Sequence, residues 1–207
     1  QSRNPAIQQP SNPATQQPSN PATRVTVVGL GREGLAVTRV LAREGAHVTV
    51  SDRRDAAALA SQIAALDGLD VTLSLGDNRV EDVLGRDLVV LSPGVDKRAP
   101  LVRAARQHGI AISSETELFL ARCPAPVIGI TGSSGKTTTT TLIGAMLRQG
   151  QDRPGGRPVF VGGNIGRPLL ERLPEIGADA WVVLELSSFQ LEWLGASPRV
   201  AVVTNIT

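Results

Sequence analysis

Aromatic side chains are scarce: 2% of 207 residues, with three Phe, two Trp and no Tyr. A core built from this chain must be aliphatic, and there is almost no aromatic surface on which bases could stack. Cysteine occurs once, at Cys123, which excludes an internal disulfide framework and suits a reducing compartment. Cys123 precedes Pro124 in an expected loop, with no His or Asp nearby in sequence, and reads as an incidental thiol. The two histidines, His47 and His108, read as incidental surface or strand-end residues. No apolar run is long enough to span a bilayer, and the start of the chain lacks a charged-then-apolar signal pattern. A cytoplasmic protein without membrane contact is expected. A net charge of +2, with no dense Lys/Arg block, gives no argument for a nucleic-acid partner.

What is present is ordinary globular material, 41% hydrophobic and 19% charged, enough for one large domain or two small ones. The first 23 residues stand apart. Asn4 to Ser11 returns as Asn12 to Ser19 and begins again at Asn20, polar and Pro-rich throughout. This stretch, 1–23, is expected to be a disordered tail.

Arg24 to Val28 is a strand by composition, followed by Gly29-Leu30-Gly31-Arg32-Glu33-Gly34, a helical stripe to Leu41, and a second strand from His47 to Asp52. This is a βαβ start carrying G-x-G-x-x-G, with an acidic residue about twenty positions on. The motif alone is weak; with its flanking strands and Asp52 it favours a nucleotide site over a structural turn. A helix over Ala56–Leu66, strands at Val71–Leu75 and Leu88–Leu91, a helix over Leu101–His108 and a strand at Ile110–Ile112 follow. Ser92-Pro93-Gly94-Val95 closes the buried strand at the carboxyl edge of a parallel sheet, as either a ligand-binding turn or a plain one. Ser114 and Glu117 have the spacing of a helix capping box.

Cys123-Pro124-Ala125-Pro126 reads as a linker, so a boundary is expected there, with one domain over 24–123 and another from 124 to 207. The second opens on Val127-Ile128-Gly129-Ile130, then Thr131-Gly132-Ser133-Ser134-Gly135-Lys136-Thr137-Thr138 and a helix. That is the layout of a phosphate-binding loop. Gly132 and Gly135 let the backbone curl so that N–H groups face an anion, and the helix start adds further unpaired donors. Lys136 supplies a full charge for terminal phosphates, and the Thr137 hydroxyl is placed for an accompanying Mg²⁺. The strict pattern would require Gly at Ile130; the shorter core is intact. Further on, Glu185 ends the apolar run Trp181–Leu184. A carboxylate there is costly to bury alone, and a phosphate-bound Mg²⁺ is a natural partner; an Arg or Lys elsewhere is the alternative. The fold class is α/β: a Rossmann-like parallel-sheet domain followed by part of a P-loop ATP-binding domain.

The phosphate loop, Gly163-Asn164-Ile165-Gly166, Leu184-Glu185-Leu186-Ser187-Ser188-Phe189-Gln190-Leu191-Glu192 and Thr204-Asn205-Ile206-Thr207 together resemble the Mur ligases, and among them the branch that adds D-glutamate. The Leu-Glu-Leu-Ser-Ser-Phe-Gln-Leu stretch is the specific one. The resemblance runs from about Arg24 to Thr207. It implies that the first domain holds the uridine diphosphate end of UDP-N-acetylmuramoyl-L-alanine, with Arg32, Glu33, Asp52, Arg53, Arg54, Ser92 and Gly94 lining that site. It implies that Gly132, Ser133, Ser134, Gly135, Lys136, Thr137 and Thr138 hold ATP, that Thr137 and Glu185 share Mg²⁺, and that Asn164, Ser187 and Gln190 face the muramoyl group or the metal. The implied chemistry is ATP-driven amide formation: the alanyl carboxylate takes the γ-phosphoryl group, and the amine of D-glutamate displaces phosphate. Lys136 and Glu185 are the implied catalytic residues, in a monomeric enzyme of peptidoglycan synthesis.

The family continues past the last motif with an Asp-His segment, a modified Lys and a third domain carrying the D-glutamate site. None of these is in the sequence, so a fragment without ligase activity is expected. Two other classes remain open: a nicotinamide-dependent oxidoreductase using Gly29–Gly34 and Asp52, which would leave Lys136 and Glu185 without work, and a non-catalytic nucleotide-binding module.

Overall fold

The computed structural model describes residues 23–207, and the expected tail at 1–23 lies outside them except for Thr23. Two parallel sheets organise the chain. The first contains β1 (Arg24–Val28), β2 (His47–Asp52), β3 (Val71–Leu75), β4 (Leu88–Leu91) and β5 (Ala111–Ser113), in the order β3-β2-β1-β4-β5. The second contains β6 (Val127–Thr131), β7 (Val159–Gly163), β8 (Trp181–Glu185) and β9 (Val200–Val203), in the order β7-β8-β6-β9. Every strand pair is parallel. The Val- and Leu-rich runs that mark β1, β4 and β8 are buried almost end to end, as strands covered on both faces must be.

The helices α1 (Arg32–Arg43), α2 (Ala60–Ala64), α3 (Pro100–Gln107), α4 (Glu115–Arg122), α5 (Lys136–Arg148) and α6 (Ser188–Leu191) connect and cover the strands. Sequence periodicity predicts a helix from Ala56, but the chain turns through Ala56–Leu59 and becomes α-helical only at Ala60. The segment beginning near Leu169 winds as a 3₁₀ helix over Leu170–Glu175, with Pro174 inside it. Pro lacks the N–H that a longer α-helix would need there. Ser114 caps α4 as its spacing suggests, accepting from Glu117 N at 3.2 Å, while the Glu117 carboxylate accepts from the Ser113 hydroxyl at 3.1 Å.

The segment between the sheets is packed rather than free. Ala125 is buried, and Pro126 O accepts from Val182 N at 3.2 Å. One hydrophobic cluster runs through both lobes, joining Val27, Leu41, Leu118 and Phe119 to Phe160, Leu170 and Val182. Packing α1 and α4 against Leu170–Glu175 carries that continuity. Polar contacts add to it: Arg39 pairs with Glu171 at 3.3 Å, and Lys97, paired with Glu192, lies 4.7 Å from the Trp193 ring centroid. Thr23, counted with the tail by composition, accepts from His47 N at 2.9 Å and extends the first sheet.

Candidate functional site

In the first sheet, chain order reverses between β1 and β4, and a crevice opens outside the carboxyl ends of those strands. A cleft of about 870 Å³ occupies it. Arg32, Glu33, Asp52, Arg53, Arg54, Ser92 and Gly94 all line it, with Asn164 reaching in from the second lobe. Asp77 and Asn78, at the carboxyl end of β3, line it too and carry no motif that would have marked them. The turn from β1 into α1 requires glycine at position 34, because a Cβ there would strike the carbonyl oxygen of Gly29. Ser92 closes the same turn by donating to Gly29 O at 2.9 Å.

Asp52 is the anchor of this cleft. Its Oδ2 accepts from Leu30 N and Arg54 Nη2, both at 2.7 Å, and its Oδ1 accepts from Arg54 N at 2.9 Å and Nε at 3.0 Å. Burial pushes the Asp52 carboxyl up, but the Arg54 side chain and the Arg54 and Leu30 amides together outweigh it and bring it down to about 2. Glu33 behaves differently. Burial pushes its carboxyl up, against the lowering effects of Arg32 and of a hydrogen bond from Gln190. Behind it, Glu115 is driven to about 7 by burial and by the charge of Glu33, while accepting from Leu170 N at 3.2 Å.

In the second lobe, β6 delivers the chain into Gly132–Gly135, and Gly135 takes a left-handed φ of 77° as the N-cap of α5. No side chain caps that helix, so the N–H groups of its first turn point out of its open end. Thr204 and Asn205, just beyond β9, brace the loop. Asn205 O accepts from Ser133 N at 3.0 Å, Asn205 Oδ1 accepts from Ser134 N at 2.9 Å, and Thr204 Oγ1 donates to Ser134 O at 2.5 Å. Their signal is topological: β9 pairs directly with β6, so its end falls beside the loop. Lys136 Nζ lies over the loop, donating to Gly132 O at 2.8 Å.

Glu185 sits at the carboxyl end of β8, beside β6, and is 2% exposed. Thr137 Oγ1 donates to its Oε2 at 2.8 Å, and Asn164 Nδ2 donates to its Oε1 at 2.9 Å. The carboxylate and the Thr137 hydroxyl therefore meet at the start of α5, whose first residue, Lys136, reaches back over the loop. Hydroxyl and carboxylate oxygens suit a hard cation such as Mg²⁺, which takes few protein ligands and completes its shell with water and phosphate. Ser187 and Gln190 are not open in the same way. They form a reciprocal capping box on α6, with Gln190 N donating to Ser187 Oγ at 3.2 Å and Ser187 N to Gln190 Oε1 at 2.9 Å. Gln190 is 1% exposed, and its Nε2 donates to Glu33 Oε1 at 3.0 Å.

Cys123 lies away from both sites, its thiol pushed up by burial and donating weakly to Ala125 O. Among the described residues no helix is long and apolar enough to cross a membrane.

Residues 23–114 match the family of Mur ligase MurD-like N-terminal domains, and residues 130–207 match the Mur ligase middle domain. Curated relatives agree. A UDP-N-acetylmuramoylalanine–D-glutamate ligase of Symbiobacterium thermophilum is 49% identical over 184 residues, covering 89% of this chain and 39% of the relative. The enzyme of the same name from Trichlorobacter lovleyi is 46% identical over 186 residues, covering 89% and 40%. The chain thus spans well under half the length of these relatives. Among solved structures, a UDP-N-acetylmuramate:L-alanyl-gamma-D-glutamyl-meso-diaminopimelate ligase from Neisseria meningitides shares the fold at a TM-score of 0.55 and 18% identity, covering 90% of this chain and 61% of that one. Both domain matches and the relatives lead to one assignment: the chain belongs to the Mur ligases.

Proposed function

We propose that this chain carries the uridine-nucleotide and ATP sites of a ligase that joins D-glutamate to UDP-N-acetylmuramoyl-L-alanine in peptidoglycan precursor synthesis. The observation that carries the reading is the Glu185 carboxylate held by Thr137 and Asn164 at the head of the Lys136 loop. A generic α/β protein has no reason to bury a carboxylate beside a phosphate loop, since burying an ionised group without a strong partner is costly.

On this reading the first-lobe cleft takes the uridine diphosphate. Arg32, Arg53 and Arg54 supply positive charge for it, and Ser92 and Gly94 shape its floor. Asp52 works by fixing Arg54 and the Leu30 amide. The loop Gly132–Thr138 takes ATP, with its amides and the start of α5 facing the phosphates. Lys136 exchanges its bond to Gly132 O for a phosphate oxygen and offsets charge as the γ-phosphoryl group moves to the alanyl carboxylate. Thr137 and Glu185 are the residues that would hold Mg²⁺, and Asn164 orients Glu185 for it. When bound, the metal would neutralise phosphate charge. The protein's own contribution is to hold two anionic reactants in line. No residue here is assigned to D-glutamate. The cytoplasm, where such substrates would be met, is the compartment we propose, and a monomer the assembly.

The nicotinamide alternative has less support, because both Asp52 oxygens are already engaged rather than offered to a ribose. The test is calorimetry with Mg²⁺-ATP on the wild type and Glu185→Ala. The proposal predicts that Ala weakens binding by roughly tenfold or more in Mg²⁺ and changes little in EDTA. Equal affinities in Mg²⁺ would overturn it.

A further inference from the structure

The turn after β1 faces two ways. One side lines the first-lobe cleft, and the other grips the second lobe on both flanks of Glu185. The Arg32 guanidinium donates through Nη1 to Gly166 O at 3.0 Å and through Nη2 to Asn164 O at 3.1 Å. Asn164 is the residue whose amide holds Glu185 Oε1 at 2.9 Å and whose backbone N–H donates to Glu185 O, also at 2.9 Å. The next residue in the turn, Glu33, accepts from Gln190 Nε2 at 3.0 Å. Gln190 in turn ties down Ser187, two residues beyond Glu185, through Ser187 N and Oγ. Two consecutive side chains of one lobe thus fix the Asn164 turn on one side of the carboxylate and the capped start of α6 on the other.

The two grips differ in chemistry. Gln190 is buried, and its carbonyl oxygen is committed to the cap, so only its NH₂ is left to meet Glu33. That contact is specific and closed to solvent. Arg32 is more open, and its planar fork meets two carbonyl oxygens at once. A Lys ammonium at the same place keeps the charge but cannot reproduce the paired geometry.

We propose that Arg32 and Glu33 are positioning residues for the second site: they set the Glu185 carboxylate for a phosphate-bound divalent cation from across the lobe boundary, without touching cation or phosphate. The inference rests on the function proposed above and adds a role for the first-lobe turn that a nucleotide-lining residue would not have. Residues that orient a metal-holding carboxylate typically change metal affinity 10- to 100-fold when lost, although they make no bond to the metal.

The test separates orientation from general damage by measuring what Mg²⁺ adds to ATP affinity. Calorimetric titrations of ATP in Mg²⁺ and in EDTA give that ratio, and UDP titrations report the first-lobe cleft. For Arg32→Lys, the Mg²⁺-dependent gain is expected to fall about tenfold, with metal-free ATP affinity within about threefold of wild type. Glu33→Ala should lower the same gain, and Glu33→Gln, which keeps an oxygen for Gln190 Nε2, should restore most of it. A gain unchanged in Arg32→Lys and Glu33→Ala, in chains that still bind UDP and Mg²⁺-ATP, overturns the positioning role and leaves the functional reading intact. A fall in ATP affinity equal in Mg²⁺ and EDTA also overturns it, since that is the mark of a loosened fold. A wild-type chain whose ATP affinity ignores Mg²⁺ sinks the functional reading and this inference together.

Discussion

The chain builds a strand, a glycine turn and a helix twice, and the two copies have been given opposite electrostatic work. The first turn, Gly29–Gly34, is backed by carboxylates. Asp52 ties the Leu30 amide and Arg54 together, Glu33 points into the lobe boundary, and Glu115 lies behind it. The second turn, Gly132–Gly135, is followed by Lys136 and Thr137; its helix, like α1, starts without a side-chain cap. The comparison teaches that a glycine turn before a helix provides only geometry and amides. What it binds is decided by neighbours. In the first copy, arginines spread over several elements make a wide cleft of about 870 Å³. In the second, one lysine, one hydroxyl and one carboxylate concentrate on a point.

The largest expected effect breaks the comparison at its strongest element. Lys136→Ala should weaken ATP binding roughly 10- to 100-fold, the cost of a charged hydrogen-bond donor to phosphate, and leave UDP binding within about twofold. Parallel titrations of the two nucleotides check this. Equal losses would mean the two turns do not serve separate ligands.

Next is the anchor of the first turn. Asp52 is held down at about 2 from an ordinary 3.8, so its ionised form stabilises the fold. That contribution is fully present above about 3.8 and is lost as pH falls through about 2. Asp52→Asn should cost about 2 kcal/mol at neutral pH in urea unfolding, and the penalty should disappear in strong acid.

Glu115 provides the opposite sign. Its carboxyl stands at about 7 against an ordinary 4.5, so the folded chain retains a proton that the unfolded chain releases. Stability should fall as pH rises from about 4.5 to about 7 and then level off. Glu115→Gln keeps an oxygen for Leu170 N and should flatten that slope. Unfolding midpoints of the two proteins between pH 4.5 and 7 measure the difference.

Much of this was legible in the sequence because it is local. Apolar β-branched runs gave the buried strands, the glycine spacings gave both turns, and Ser114 gave its helix start. Asp52 and the Ser92 turn were readable as candidates because parallel strands deliver their carboxyl ends to one edge, whereas Arg32 and Arg54 were implied only by the family resemblance. What was not legible depends on partners distant in sequence. Gln190 reads as a ligand-facing residue, yet its amide is spent on Ser187 and on Glu33, 157 positions away. Glu115 sits in the first turn of α4 like any solvent-facing helix acid, yet it is buried and accepts from Leu170 N, 55 positions away. Asn205 gives no hint of bracing the phosphate loop until the sheet order places β9 beside β6. The helical composition of Ala56–Leu66 is satisfied by a succession of turns around the short helix Ala60–Ala64.

On the proposed function, one chain holds two anionic nucleotides at once, one at each turn. The most direct test is calorimetry of Mg²⁺-ATP into the chain already saturated with UDP. A full one-to-one ATP isotherm is expected in the presence of UDP. Displacement of UDP by ATP, with a single shared stoichiometric site, would contradict it.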